Sequence, residues 1–229
     1  MDKNLFHVHT KRCLHATAEN DEDYIQRAIA LGAKSVTFTD HAPFPGDPFG
    51  NRMPYAMLGE YVQSLTLLKK KYEECIQVNI GLEIEFFPSY LDYYQGLRES
   101  GDFDILMLGQ HFFELHPGQY SYSLSREEMR EMEFLGCGQA IVAGVQTGLF
   151  DVVAHPDRIF RKRVEWTENM DDMARQIIEA SEYRGVLLEQ NESSKKTIGC
   201  YWNQFWNFVK GGMAVIGLDA HSVKELRLL

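Results

Sequence analysis

The feature that most constrains this chain is a repeated alternation of short, apolar, β-rich runs with longer amphipathic stretches of helical period. The runs are Leu5–His9, Ser35–Asp40, Val78–Phe86, Ile105–Gln110, Asp151–Ala154, Gly185–Glu189 and Ala214–Leu218. Between them the pattern predicts helices over Asp21–Leu31, Leu58–Cys75, Ser89–Ser100, Arg126–Thr147, Asp171–Tyr183 and Tyr201–Lys210. Seven such βα repeats build a parallel sheet, either doubly wound or closed into a barrel. Ser125 ahead of Arg126-Glu127-Glu128 offers a hydroxyl cap and early carboxylates to one helix, while Gly32 and Gly148 stand where helices should end. No linker, internal repeat or low-complexity run divides the 229 residues, so they read as a single domain, 1–229. Segment 42–54 carries four prolines and two glycines. It excludes regular structure and reads as a functional loop or lid.

Charge narrows the function classes. Lys and Arg number 23 against 33 Asp and Glu, a net charge of −10. That balance lacks the footprint of a nucleic-acid binder and would repel an anionic membrane. A small anionic substrate remains open, provided a local positive charge overcomes the global field. No apolar run has the length of a membrane span or a signal peptide. Cys13, Cys75, Cys137 and Cys200 are scattered without a CxxC pair, which reads as reduced thiols in a cytoplasmic protein.

The eight histidines are not scattered. Nearly all fall at the ends of the proposed strands, together with carboxylates. His7 and His9 stand two apart on the first strand, a spacing that places both imidazoles on one face. His15 follows in the next loop. The second strand delivers Asp40 and His41, the third Glu83 and Glu85, the fourth His111 with His116 beyond it, the fifth His155 and Asp157, and the seventh Asp219 and His221. One HxH is weak evidence, and a single strand-end histidine is usually a hydrogen-bonded structural residue. Polar ligand types at six of seven strand ends are different, because buried unpaired imidazole and carboxylate are costly and active sites of α/β barrels lie at that end. A polynuclear metal centre accounts for them together, and neutral imidazoles with carboxylates suit Zn, Mn or Fe.

These residues also carry a resemblance. His7-Val8-His9, His15, Thr39-Asp40-His41, Glu83, His111, His155 and Asp219-Ala220-His221 resemble the ordered motifs of the PHP (polymerase and histidinol phosphatase) superfamily from about residue 5 to 222. TDHAPFP, Arg52-Met53, GQHFF, LFDVVAHPD and LLEQNESSKK are similar to its histidinol-phosphatase branch. The resemblance implies a distorted (β/α)7 TIM-like barrel and two or three divalent metal ions. It implies that His7, His9, Glu83 and Asp219 hold one metal, that Glu83 bridges to a second held by His111 and His155, and that His15, His41 and His221 hold a third. Glu85 lies outside that ligand pattern.

The implied chemistry is hydrolysis of a phosphomonoester, with histidinol phosphate the expected substrate and another small phosphate ester the alternative. A metal-bridging water, its pKa lowered from 15.7 towards about 7, is the expected nucleophile. Arg158, Arg161 and Arg52 are candidate phosphate donors, and Asp157, Asp40 and His116 candidate acids for the leaving group. Asp40 could equally orient a liganding imidazole. An amidohydrolase would place a carboxylated lysine on a middle strand, where this sequence has Glu83. A vestigial binding module would have lost ligand positions, and none of the nine is missing. The acidic balance argues against a nuclease. Oligomeric state is not legible.

Overall fold

The structure, a computed structural model, describes residues 3–229. In chain order its elements are β1 (Asn4–Val8), α1 (Asp21–Ala30), β2 (Ser35–His41), α2 (Leu58–Lys71), β3 (Gln77–Ile84), α3 (Leu91–Glu99), β4 (Ile105–Leu108), β5 (Glu114–His116), β6 (Gln119–Tyr120), α4 (Arg126–Thr147), β7 (Val152–Val153), α5 (Glu168–Arg184), β8 (Leu187–Asn191), α6 (Asn203–Trp206) and β9 (Ala214–Gly217). Among the described residues one sheet holds seven strands in the order β1-β2-β3-β4-β7-β8-β9. That α/β strand count and order are those of the distorted (β/α)7 barrel the resemblance implies. β5 and β6 form a separate antiparallel ribbon, which the sequence pattern did not announce because each strand is too short to show a period. No helix among the described residues is long and apolar enough to cross a membrane.

The chain divides into two compact units. One comprises the residues up to Glu83 with 100–106 and 217–229; the other comprises 84–99 and 107–216. In the first, β2 pairs in parallel with β1 and with β3, in a register that runs from Ser35↔Gln77 to His41↔Glu83. β2 is buried along nearly its whole length, which is why it reads as a continuous run rather than an alternation. Tyr24, Ile25 and Ala28 of α1 and Tyr61 and Leu65 of α2 are all buried. The chain after β9 returns to β1: Leu218 N donates to Phe6 O at 2.8 Å, Ala220 N to His7 O at 3.1 Å and His9 N to Ala220 O at 2.8 Å. This pairing sets Asp219 and His221 beside His7 and His9.

In the second unit β7 pairs with β4 through Met107↔Val152 and with β8 through Val153↔Leu188. Helix α4 begins with a capping box: Glu128 N donates to Ser125 Oγ at 3.3 Å and Ser125 N to Glu128 Oε2 at 2.8 Å. It ends on Gly148 in the left-handed region, φ 73°. Both ends of α4 agree with the sequence reading. The helix expected over 201–210 shrinks to the four residues of α6. Beyond Asn207 the bonds become i to i−3, from Phe208 N to Phe205 O and from Val209 N to Trp206 O, and Gly212 at φ 87° ends the segment. Its aromatic and Asn-rich composition gives little intrinsic helix preference. Segment 42–54 is irregular, as expected.

Candidate metal centre

The first strand does not present His7 and His9 by simple alternation. Its register with β2 slips between Leu5 and Val8, and His7 takes a left-handed φ of 67°. Asp219 at φ 54° and His155 at φ 30° share that unusual backbone. Side chains other than glycine adopt it at a cost, and such costs cluster at functional sites. The slip re-aims the two imidazoles while hydrogen bonds to 218–220 hold the backbone. Their ring centroids lie 4.9 Å apart.

Four donor atoms then converge. His7 Nε2 lies 3.3 Å from Glu83 Oε2 and 3.7 Å from Asp219 Oδ1. His9 Nε2 lies 3.5 Å and 3.4 Å from the same two oxygens. Donors about 2.1 Å from one shared cation stand about 3.4 Å apart in a tetrahedron, whereas good hydrogen bonds are shorter. The spacing therefore fits a common cation better than a hydrogen-bond network. His9 Nε2 and His221 Nε2 are buried with no hydrogen-bond partner among the described residues, as expected of nitrogens whose lone pairs await a metal.

The remaining histidines of this unit stack around the four. The ring of His9 lies 4.2 Å from that of His221 and 4.6 Å from that of His41; the ring of His15 lies 4.6 Å from His221 and 5.2 Å from His41. His41 Nδ1 is 3.1 Å from Glu83 Oε2. Backbone carbonyls fix two of the rings: Cys13 O lies 2.7 Å from His15 Nδ1, and Asp219 O lies 3.1 Å from His221 Nδ1. A carbonyl only accepts, so these Nδ1 atoms carry the protons and both rings keep Nε2 as the ligating nitrogen. His9, His41 and His221 form one group with donor atoms close enough for a single ion; His7, His9 and Asp219 form another. His15 is the most exposed of the set.

The electrostatics favour cation binding. Burial draws the His9 imidazole down to about 4, against the opposing pull of the Asp219 carboxylate, so it is neutral at ordinary pH. Burial alone would raise Asp219, but His7 and His9 reverse this and hold its carboxyl well below the usual range. Neutral imidazoles beside ionised carboxylates are the donor set that Zn, Mn or Fe selects.

In the second unit His111 and His155 have ring centroids 5.1 Å apart. Glu85 Oε1 accepts from His111 Nδ1 at 3.0 Å, an orienting contact that leaves Nε2 available. Glu189 is fully buried and accepts from His155 N at 2.9 Å and Asn191 Nδ2 at 3.1 Å. The sequence set Glu85 apart from the ligands in a supporting or structural role without naming its partner, and it did not single out Glu189, because a carboxylate's burial shows only once the strands are assembled.

The other candidate residues are dispersed. Asp40 is fully buried, and its oxygens accept from Thr10 N, Thr10 Oγ1 and Cys13 Sγ. Burial raises its carboxyl to about 6. Asp157 Oδ2 accepts from Trp202 N and Trp206 Nε1, Oδ1 is buried without a partner, and burial raises the carboxyl to about 7. His116 is exposed on β5. Arg161 pairs with the buried Glu133 at 2.7 Å. Arg52 clasps its own loop, donating to Ala42 O and Gly50 O beneath the rings of Phe44 and Phe49. Arg158 is half-buried directly after His155-Pro156-Asp157.

A parallel α/β chain whose strand ends carry clustered imidazoles and carboxylates has the donor set of a metal centre. The PHP domain matches residues 6–193, and the chain belongs to that family. The chain is 33% identical over 98 residues, 40% of its length, to the histidinol-phosphatase of Bacillus subtilis. It is 26% identical over 242 aligned residues, covering 98% of its length and 86% of the relative, to the histidinol-phosphatase of Lactococcus lactis. Of the first two curated relatives, from B. subtilis and Deinococcus radiodurans, the chain spans 37% and 59% of the length. Two solved structures share the fold. One, from Listeria monocytogenes and assigned to the histidinol phosphatases, has a TM-score of 0.78 at 19% identity, covering 97% of each chain. The L. lactis histidinol phosphate phosphatase, crystallised with zinc, L-histidinol and phosphate, has a TM-score of 0.74 at 20% identity, covering 97% of this chain and 87% of the other.

Proposed function

We propose that this PHP-family chain, acting as one domain over 1–229, is a metal-dependent phosphomonoesterase that converts L-histidinol phosphate and water to L-histidinol and phosphate. The observation that carries the reading is the meeting of His7 Nε2, His9 Nε2, Glu83 Oε2 and Asp219 Oδ1 at 3.3–3.7 Å. The relatives named histidinol-phosphatase support the choice of substrate. Two or three divalent cations, when bound, neutralise the phosphate oxygens and acidify a water molecule.

The chain's own residues do the rest. His7, His9, Glu83 and Asp219 hold one cation, and His15, His41 and His221 supply imidazoles for another. In the second unit, His111 and His155 are further imidazoles able to hold a cation. Arg158, directly after His155-Pro156-Asp157, is the arginine we assign to the phosphate. Asp157, protonated up to about pH 7 by its burial, is the candidate to protonate the leaving alkoxide. Local cation charge lets a protein of net charge −10 hold an anionic ester.

The test is phosphate release from histidinol phosphate beside a panel of small phosphomonoesters, using protein of known metal content. We expect a strong preference for histidinol phosphate that is lost in His9→Ala and His221→Ala. Broad activity across the panel would remove the substrate assignment and keep the phosphomonoesterase. No release from any ester by metal-loaded protein would remove both.

A further inference from the structure

Cys13 lies between two histidine ligands in the sequence, and its side chain is fully buried. The 3₁₀ turn Lys11–Cys13 starts on Thr10 and ends on Leu14 at a left-handed φ of 63°, which folds the thiol back beneath the first strand. There Sγ lies 2.8 Å from Asp40 Oδ1, 3.2 Å from His9 Nδ1 and 3.1 Å from the backbone N of His41. Asp40 is itself fixed by Thr10 N at 2.8 Å and Thr10 Oγ1 at 3.0 Å. Arg12 Nη1 in turn donates to Thr10 Oγ1 at 3.2 Å.

We propose that Cys13 is a positioning residue that fixes the tautomer of His9, an inference that rests on the metal-centre reading above. A thiol has one proton. The shorter contact sends it to the Asp40 carboxylate, which accepts and cannot donate when ionised. The sulfur therefore has only lone pairs to offer its other two neighbours. His41 N can only donate, and His9 Nδ1 must donate as well. With its proton on Nδ1, His9 presents a bare Nε2 to Glu83 and Asp219, the state a metal ligand requires. Cys13 is not itself a ligand. Cys13, Asp40 and His9 also bring donor atoms within reach of one ion, but the 2.8 Å contact of Cys13 Sγ with Asp40 Oδ1 is closer than two ligands of a tetrahedral ion stand, and a thiol–carboxylate hydrogen bond accounts for it. Asp40, Cys13 and His9 thus form a carboxylate–thiol–imidazole relay in which sulfur stands where a carboxylate or carbonyl usually orients a histidine.

The experiment measures two things on the intact protein. Long-range ¹H–¹⁵N NMR on the metal-free protein reads the His9 tautomer, assigned by its loss in His9→Gln. Zinc titration against a competing chelator reads affinity for wild type, Cys13→Ala and Cys13→Ser. We expect His9 in the Nδ1–H form, zinc binding weakened about 10- to 100-fold in Cys13→Ala, and most of that loss recovered in Cys13→Ser, whose hydroxyl can also donate once and accept. An Nε2–H tautomer in the wild type overturns the proposal without recourse to any variant. Equal zinc affinity in wild type and Cys13→Ala, within about twofold, also overturns it. If wild-type zinc binding is indifferent to His9→Gln, the metal-centre reading itself fails, which is a separate result.

Discussion

Asp157 shows how one side chain can connect stability with chemistry. Its carboxyl is fully buried, one oxygen accepts two N–H groups and the other has no partner, and burial raises it to about 7 from 3.8. The folded protein therefore holds this proton over a range where the unfolded chain has released it. Stability from this group is fully present below pH 3.8, falls as pH rises towards 7, and is lost above that, a change of up to about 4 kcal/mol. Asp157→Asn keeps an oxygen for Trp202 and Trp206 and cannot ionise. Melting temperatures at pH 5 and pH 8 should converge in the variant and fall with rising pH in the wild type. If Asp157 also protonates the leaving group, the same variant loses turnover while keeping its metal. The side chains that meet at the candidate site were legible residue by residue in the sequence, since histidines and carboxylates recur at one strand end after another. Of the partners that orient them, Glu85 was legible as a supporting carboxylate but not its contact with His111, and the contact of Cys13 with His9 was not legible at all. Those contacts depend on a left-handed turn and on burial that no local pattern encodes.

At the scale of elements, the parallel strands and the long helices followed from period and caps, and α4 has the ends that Ser125 and Gly148 specify. What failed was the aromatic segment that became α6 and the ribbon of β5 and β6, because tertiary contacts rather than local preference decide both. Gly81 on β3 exposes a further constraint that pattern alone misses. A Cβ there would stand 2.8 Å from Ile105 O and 3.1 Å from Phe38 O, both backbone atoms that cannot rotate away. Gly81→Ala should cost about 1–3 kcal/mol, read as a lower denaturant midpoint at unchanged slope. Because β3 carries Glu83 two residues later, the variant should also weaken zinc binding. A midpoint within error of the wild type would show that the strands can separate without penalty.

For the whole molecule, the acidic balance and the ligand clusters make opposite demands. Without cations, Glu83 and Asp219 are buried negative charges within a chain whose net charge is −10. Cations that bind only the folded state stabilise it by mass action, about 2.7 kcal/mol at a hundredfold excess over Kd. Exhaustive chelation should therefore lower Tm by several degrees, and restoring zinc or manganese should recover it. Amide exchange should quicken first at 7–9, 40–41 and 219–221. A Tm indifferent to chelation would indicate that the donors hold one another without a metal. The fold class was legible from the order of elements along the chain. The pairing of residues 218–220 with the first strand was not, since nothing local in either segment announces the other.

That pairing also sets a timetable. His7 and His9 leave the ribosome more than 200 residues ahead of Asp219 and His221. While the nascent chain grows, β1 lacks its neighbour at 218–220 and His7 and His9 lack the Asp219 carboxylate. A cation captured early would be held by imidazoles with only part of their set. Contacts so distant in sequence close slowly. The full donor set for a cation is therefore assembled only after residues 219–221 have emerged, so the metals present at that stage decide what it meets.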